Sequence, residues 1–163
     1  MRELRNLLAV NIEFSPRRRE DIDALFLSAS NTQARQIKPM LAFFFADDIP
    51  VYSTSSIYDG QQNTKANQDL NGIKFSTLPW ILFNSDTHNR LKESSPSTGS
   101  LIKLQAMGVD AYYLSQRIPQ FLVAGNAVYH GVLGNLSLAS GKRNLDRQQI
   151  WAEFNQGNVE LSR

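Results

Sequence analysis

The chain is 163 residues long, with a formal charge of +2, 42% hydrophobic residues and no cysteine. That length suits one domain, burying roughly 70% of the surface its unfolded form exposes, and the lack of cysteine excludes thiolate metal sites, cysteine nucleophiles and redox pairs. The mild basic balance falls short of the dense Lys/Arg stripe of a nucleic-acid binder, and no run approaches the roughly 18 apolar residues of a membrane span.

Leu4, Leu7 and Leu8 stand at helical spacing, and residues 10–14 (Val-Asn-Ile-Glu-Phe) alternate like a strand with one covered face. The opening residues lack the apolar core of a signal peptide. Residues 16–21 are a charged loop. Arg17, Arg18 and Arg19 there read as a solvated run partly neutralised by Glu20 and Asp21, or as a contact for an anionic partner.

Residues 23–55 carry the strongest signal, a strand, a helix and a second strand. Ser30 followed by Gln33 fits a capping box, so the helix starts near Asn31. Ile37, Met40, Leu41 and Phe44 recur at three- and four-residue steps and predict the face that lies on the sheet, with Arg35, Gln36 and Lys38 pointing elsewhere. Pro39 predicts a kink, and Asp47, Asp48 and Pro50 end the helix. Parallel strands joined this way need a right-handed crossover and cover on both sheet faces.

Residues 55–71 are polar and read as a long surface loop. Asn71-Gly72 turns into a strand at 73–75, and Pro79 makes 78–82 an edge strand or crossing segment. Residues 84–99 read as loop with one helical turn. From 100 to 124, Leu101, Leu104, Ala111, Leu114, Ile118 and Phe121 mark a second large helix. Gly108 within it suggests a close backbone approach, and Pro119 a kink or break. Short strands follow at 133–138 and 159–161, with a turn at 139–142; residues 150–154 satisfy both strand and helix periodicity.

Motifs for nucleotide binding, zinc proteolysis and serine hydrolysis are absent. His88 and His130 have no second ligand at metal spacing, and Asp21/Asp23 and Asp47/Asp48 fit capping and solvation better than acid–base work. No enzyme, metal or cofactor is expected. Ligands of open parallel sheets bind beyond the carboxyl ends of the strands. Ser30, Asn31, Thr54, Ser55 and Tyr58 are therefore candidate cleft residues, with capping and turn formation the competing role.

Taken together, Pro-Arg-Arg-Arg-Glu-Asp-Ile-Asp-Ala from 16, Ala-Arg-Gln-Ile-Lys-Pro-Met-Leu from 34, Pro-Val-Tyr-Ser-Thr-Ser from 50, Ala-Met-Gly-Val-Asp-Ala-Tyr from 106 and Leu-Gly-Asn-Leu-Ser-Leu from 133 resemble the LpoA (LppC) family of outer-membrane lipoproteins. The resemblance covers nearly the whole chain. It implies an α/β fold of the type I periplasmic-binding-protein kind, with mostly parallel sheets, helices on both faces and an incomplete two-lobe domain. Residues 1–71 would then lie in the second lobe, 72–125 in the first and 126–163 in the second, which favours a strand at 150–154.

The family's signal peptide, lipid-bearing cysteine and helical-repeat domain are not in this sequence, so a C-terminal piece of a longer protein is expected. The implied function is non-enzymatic activation of a bifunctional penicillin-binding protein in the periplasm, stimulating peptide cross-linking by direct contact. Membrane attachment would come only through a lipid on another part of the parent protein. Arg17, Arg18 and Arg19 are the candidate partner contacts. The alternative is a receptor holding an amino-acid-like solute in an inter-lobe cleft.

Overall fold

A computed structural model describes residues 20–97, 99–124, 127–138 and 144–162. The helix expected at 2–8, the strand at 10–14 and the turn at 139–142 lie outside them.

The βαβ unit is present. β1 (Leu25–Leu27) and β2 (Val51–Ser53) pair in parallel, with Leu25 opposite Val51. Between them α1 (Asn31–Phe43) contains Pro39. It begins where Gln33 closes back on Ser30: the Ser30 N–H donates to Oε1 of Gln33 at 3.0 Å and the Ser30 hydroxyl donates to the same oxygen at 2.9 Å. The helix ends before the acidic pair. Phe45 takes a left-handed φ of 57°, and the Ala46 N–H returns to the Leu41 carbonyl at 2.8 Å, satisfying an end carbonyl without a glycine.

The buried face of α1 differs from the expected one. Ala34 is fully buried and Leu41 packs on the sheet, whereas Ile37, Met40 and Phe44 are exposed. Arg35, expected to point away, turns inward and donates to Oδ1 of Asn67 at 2.9 Å. Two three-residue strands offer a narrow platform, and the small side chain of Ala34 lets the helix approach it along the 34–41 line. The larger apolar residues are left on the outside.

Residues 55–71 are not a loose loop. A 3-10 turn (Ser55–Ile57), α2 (Thr64–Asn67) and a second 3-10 turn (Gln68–Leu70) fold over the sheet and bury Ile57 and Leu70 completely. β3 (Ile73–Thr77) follows. The segment expected as an edge strand is helix α3 (Pro79–Leu82), with Pro79 at its first position, where a missing N–H costs nothing. The expected loop after it contains α4 (Asp86–Ser94), whose start is fixed by the Ser85 hydroxyl accepting the His88 N–H at 3.1 Å.

The long helix breaks, as Pro119 requires, into α5 (Ser100–Ser115) and α6 (Ile118–Ala124). No backbone approaches Gly108; a Cβ there would meet nothing within 4 Å. β4 (Val128–Gly131) was not anticipated. It pairs with β5 (Gly134–Ser137), which pairs with β6 (Asp146–Gln148) in an antiparallel three-stranded sheet. β7 (Ile150–Asn155) resolves the ambiguous stretch as strand and turns through Gln156-Gly157, both at positive φ, into β8 (Asn158–Leu161).

The larger sheet runs β1-β2-β3-β7-β8 and is mixed: the first three strands are parallel, and the β7–β8 hairpin adds antiparallel to β3. β3 therefore pairs with β1 and β2, and β4–β6 pack with α5 and α6. For description, the described residues within 20–77 and 150–162 are called the sheet unit and those within 78–148 the helical unit. One face of the sheet carries Val51, Ile73, Phe75, Ala152 and Phe154 under α1 and the turns. Among the described residues, the opposite face exposes Phe26 (70%) and Trp151 (47%), beside Tyr52 and a Lys74–Glu153 ion pair of 3.8 Å.

Candidate functional site

The carboxyl ends of β1 and β2 gather small polar groups, and most of them have internal partners. The Ser53 hydroxyl donates to the Leu27 carbonyl at 2.7 Å, tying the two strand ends together. Asn31 Nδ2 donates to the Ile57 carbonyl at 2.9 Å, and the hydroxyls of Thr54 and Ser56 bond each other. Ser55 accepts Lys103 Nζ at both its carbonyl (2.8 Å) and its hydroxyl (3.1 Å). Of the candidate cleft residues, Ser30, Asn31, Thr54 and Ser55 thus serve as joints of the fold.

Tyr58 alone among them lines a cavity of about 520 Å³ between the two units. Its ring meets Phe75 and Phe154, each at 5.9 Å between centroids, so much of its π surface is already engaged. Burial, reinforced by Asp59, raises the pKa of its hydroxyl. Gln61 joins Tyr58 on the sheet side, and Asn84, His88, Lys92 and Gln105 face them from the helical unit. The volume would take a small solute.

His88 stacks on Trp80, with centroids 4.6 Å apart. Its Nδ1 and the Trp80 Nε1 are buried and have no hydrogen-bond partner. His130 lies on β4 with Nδ1 2.7 Å from Oδ1 of Asn135. Among the described residues no three His, Cys, Asp or Glu side chains cluster as a metal site requires. No helix there is long and apolar enough to cross a membrane. Asp21, Asp23, Asp47 and Asp48 are exposed at element ends. Arg17, Arg18 and Arg19 lie outside the described residues.

Two structurally important residues were missed in the sequence. Lys103 bridges the units, and its pKa is lowered by burial, with Asp59 opposing that shift. Asp110 is 1% exposed and accepts the backbone N–H groups of Val132 (2.9 Å) and Leu133 (2.7 Å). Both lie with Ala106 and Leu114 on one stripe of α5, at steps of three and four. A charged residue on such a stripe is the signal that was available.

Over residues 1–157 the chain matches the family model described as "LppC putative lipoprotein". The chain belongs to the LppC family. One relative, named "Penicillin-binding protein activator LpoA" in Vibrio vulnificus (strain YJ016), is 30% identical over 141 residues, covering 83% of this chain and 23% of the relative. The chain thus spans about a quarter of the length of that LppC protein. Among solved structures, the "LpoA (YraM) C-domain from Haemophilus influenzae, a regulator of PBP1A" superposes with a TM-score of 0.74 at 22% identity, over 99% of this chain and 49% of that one. A protein from Rhodospirillum rubrum described as a "putative branched-chain amino acid ABC transporter" gives a TM-score of 0.59 at 15% identity, over 86% of this chain and 44% of that one. The LppC chain therefore has the α/β fold of periplasmic binding proteins.

Proposed function

We propose that this chain is part of a non-enzymatic activator that contacts a bifunctional penicillin-binding protein in the periplasm and stimulates its peptide cross-linking. Family membership carries the reading, because the relatives that match most of the chain are named as penicillin-binding protein activators. The site supports it. Four of five candidate cleft side chains are engaged inside the fold, and the Tyr58 ring meets Phe75 and Phe154, so few groups at these positions remain to clamp a solute. Activation by contact requires tighter binding to the more active state of the enzyme, since equal binding shifts nothing. The full-length protein would be held at the outer membrane by its lipid.

The test is binding of the purified chain to the periplasmic part of a bifunctional penicillin-binding protein, read by a biosensor. Saturable binding is expected. No binding by a folded chain at concentrations up to about 100 μM, weaker than roughly −5 kcal/mol, would remove this segment from the contact. Stabilisation of the chain by millimolar free amino acids would favour the solute receptor instead.

A further inference from the structure

Among the described residues, the sheet unit and the helical unit are joined by two chain passes that lie side by side. Thr77 and Ile150 are cross-strand partners; the chain leaves the sheet after the first and re-enters it at the second. Two adjacent passes fix an axis and leave rotation about it, which is the geometry of a hinge. Ile81 and Leu82 pack from the helical unit against the sheet core, and Ile81 also touches the helical core, but apolar burial has no preferred direction.

Lys103 supplies a directional contact at a third point. From α5 in the helical unit its ammonium reaches Ser55, in the turn after β2 of the sheet unit, and donates to the carbonyl at 2.8 Å and the hydroxyl at 3.1 Å. Its neighbours Ile102 and Gln105 line the cavity between the units, as does Gly60 across from them. A Cβ at Gly60 would touch Ile102 and Ile81 at 3.4 Å, so the walls stand close together beside the lysine. Both acceptors on Ser55 are neutral, and the Asp59 charge nearby favours the ammonium without accepting a hydrogen bond from it among the described contacts. Hydrogen bonds to neutral acceptors hold an ammonium less firmly than a carboxylate bonded to it would.

We propose that Lys103 is a latch: bonded to Ser55, it holds the helical unit at one angle to the sheet unit and so sets the width of the cavity between them. Substitution should free the hinge without unfolding either unit, since each keeps its own apolar core. The inference does not depend on which partner the protein binds.

The chain has no native cysteine, so spin labels can be placed uniquely at Gln62→Cys and Lys92→Cys, on exposed positions lining the cavity. Double electron–electron resonance should give one narrow distance distribution with Lys103 present, and a longer, broader one in Lys103→Met at an unchanged melting midpoint. Lys103→Arg, which retains the donors, should restore the narrow distribution. Ser55→Ala, which keeps the backbone acceptor, should have an intermediate effect. Superimposable distributions for Lys103 and Lys103→Met would overturn the proposal. So would equal broadening in Lys103→Arg and Lys103→Met, since the donor would then be irrelevant. If Lys103→Met fails to fold, Lys103→Gln provides the same comparison.

Discussion

Asp110 in α5 accepts the backbone N–H of Leu133 at 2.7 Å, so a carboxylate on a helix caps the turn between β4 and β5. Its other oxygen takes the Val132 N–H at 2.9 Å and faces the Tyr129 hydroxyl at 3.4 Å. Asp110→Ala would leave two amides without their acceptor, one of them in a fully buried bond, at about 2–4 kcal/mol. Urea unfolding should show the midpoint falling accordingly; an unchanged midpoint would mean that water replaces the carboxylate.

The same contact explains Gly131. A Cβ there would stand 2.5 Å from Oδ2 of Asp110. Gly131→Ala should therefore cost about 1–3 kcal/mol by pushing the carboxylate off its amides. In an Asp110→Ala background the penalty should largely vanish, because the clashing atoms are gone; additive losses in the double-mutant cycle would refute the coupling.

How much of this was legible can be argued from α1 and α5. Their existence and the Ser30 start could be read because capping and periodicity are local. Their buried faces could not. Ile37 and Met40, or Leu101 and Leu104, satisfy helical spacing as well as Ala34 or Ala106 do, and only the tertiary partner decides which stripe is covered. The short helices α3 and α4 were hidden for another reason: Pro79 fits a helix start as well as an edge strand, and Ser85 announces a helix only when its hydroxyl reaches the His88 amide. At the site, the hydroxyls at the strand ends were visible but their internal partners were not, so ligand contact and capping stayed open as roles.

Tyr58 gives a pH dependence. Burial raises its folded-state pKa above the ordinary 10.0. A raised pKa means that the folded state holds its proton more tightly, so this contribution to stability is fully present below pH 10 and is lost as pH rises through the folded pKa. Tyr58→Phe should flatten the decline of the melting midpoint above pH 10; an identical alkaline slope would assign the decline to other groups.

The outer faces of α5 and α6 present Leu104 (55%), Met107 (53%), Leu122 (70%) and Val123 (88%) to solvent. Apolar surface on this scale favours association. Replacing Leu104 and Met107 with Gln should reduce light scattering and dye binding and leave the melting midpoint nearly unchanged. A loss of the 2–5 kcal/mol typical of core truncation, on the order of that for buried Leu or Met, would show that the face is covered.

Replacing Arg17, Arg18 and Arg19 together is the corresponding test of the proposed partner contact. Three adjacent charges beside Glu20 and Asp21 are hard to desolvate, so a rim role is expected: slower association and a weaker salt dependence, with little change in dissociation. Normal stimulation of cross-linking by the full-length triple variant at low and physiological salt would remove these residues from the account.

The placement of β7 has a consequence for synthesis. Phe75 pairs across to Ala152, a residue made only after the whole helical unit. As the ribosome releases the protein, β1, β2 and β3 can assemble early, but the free edge of β3, lined by Ile73 and Phe75, must wait while the entire helical unit is translated. Such an unpaired, apolar edge is a template for intermolecular pairing, and late non-local closure slows folding. Chains truncated before Ile150 should therefore aggregate during translation, whereas loss of β8 alone leaves β3 protected.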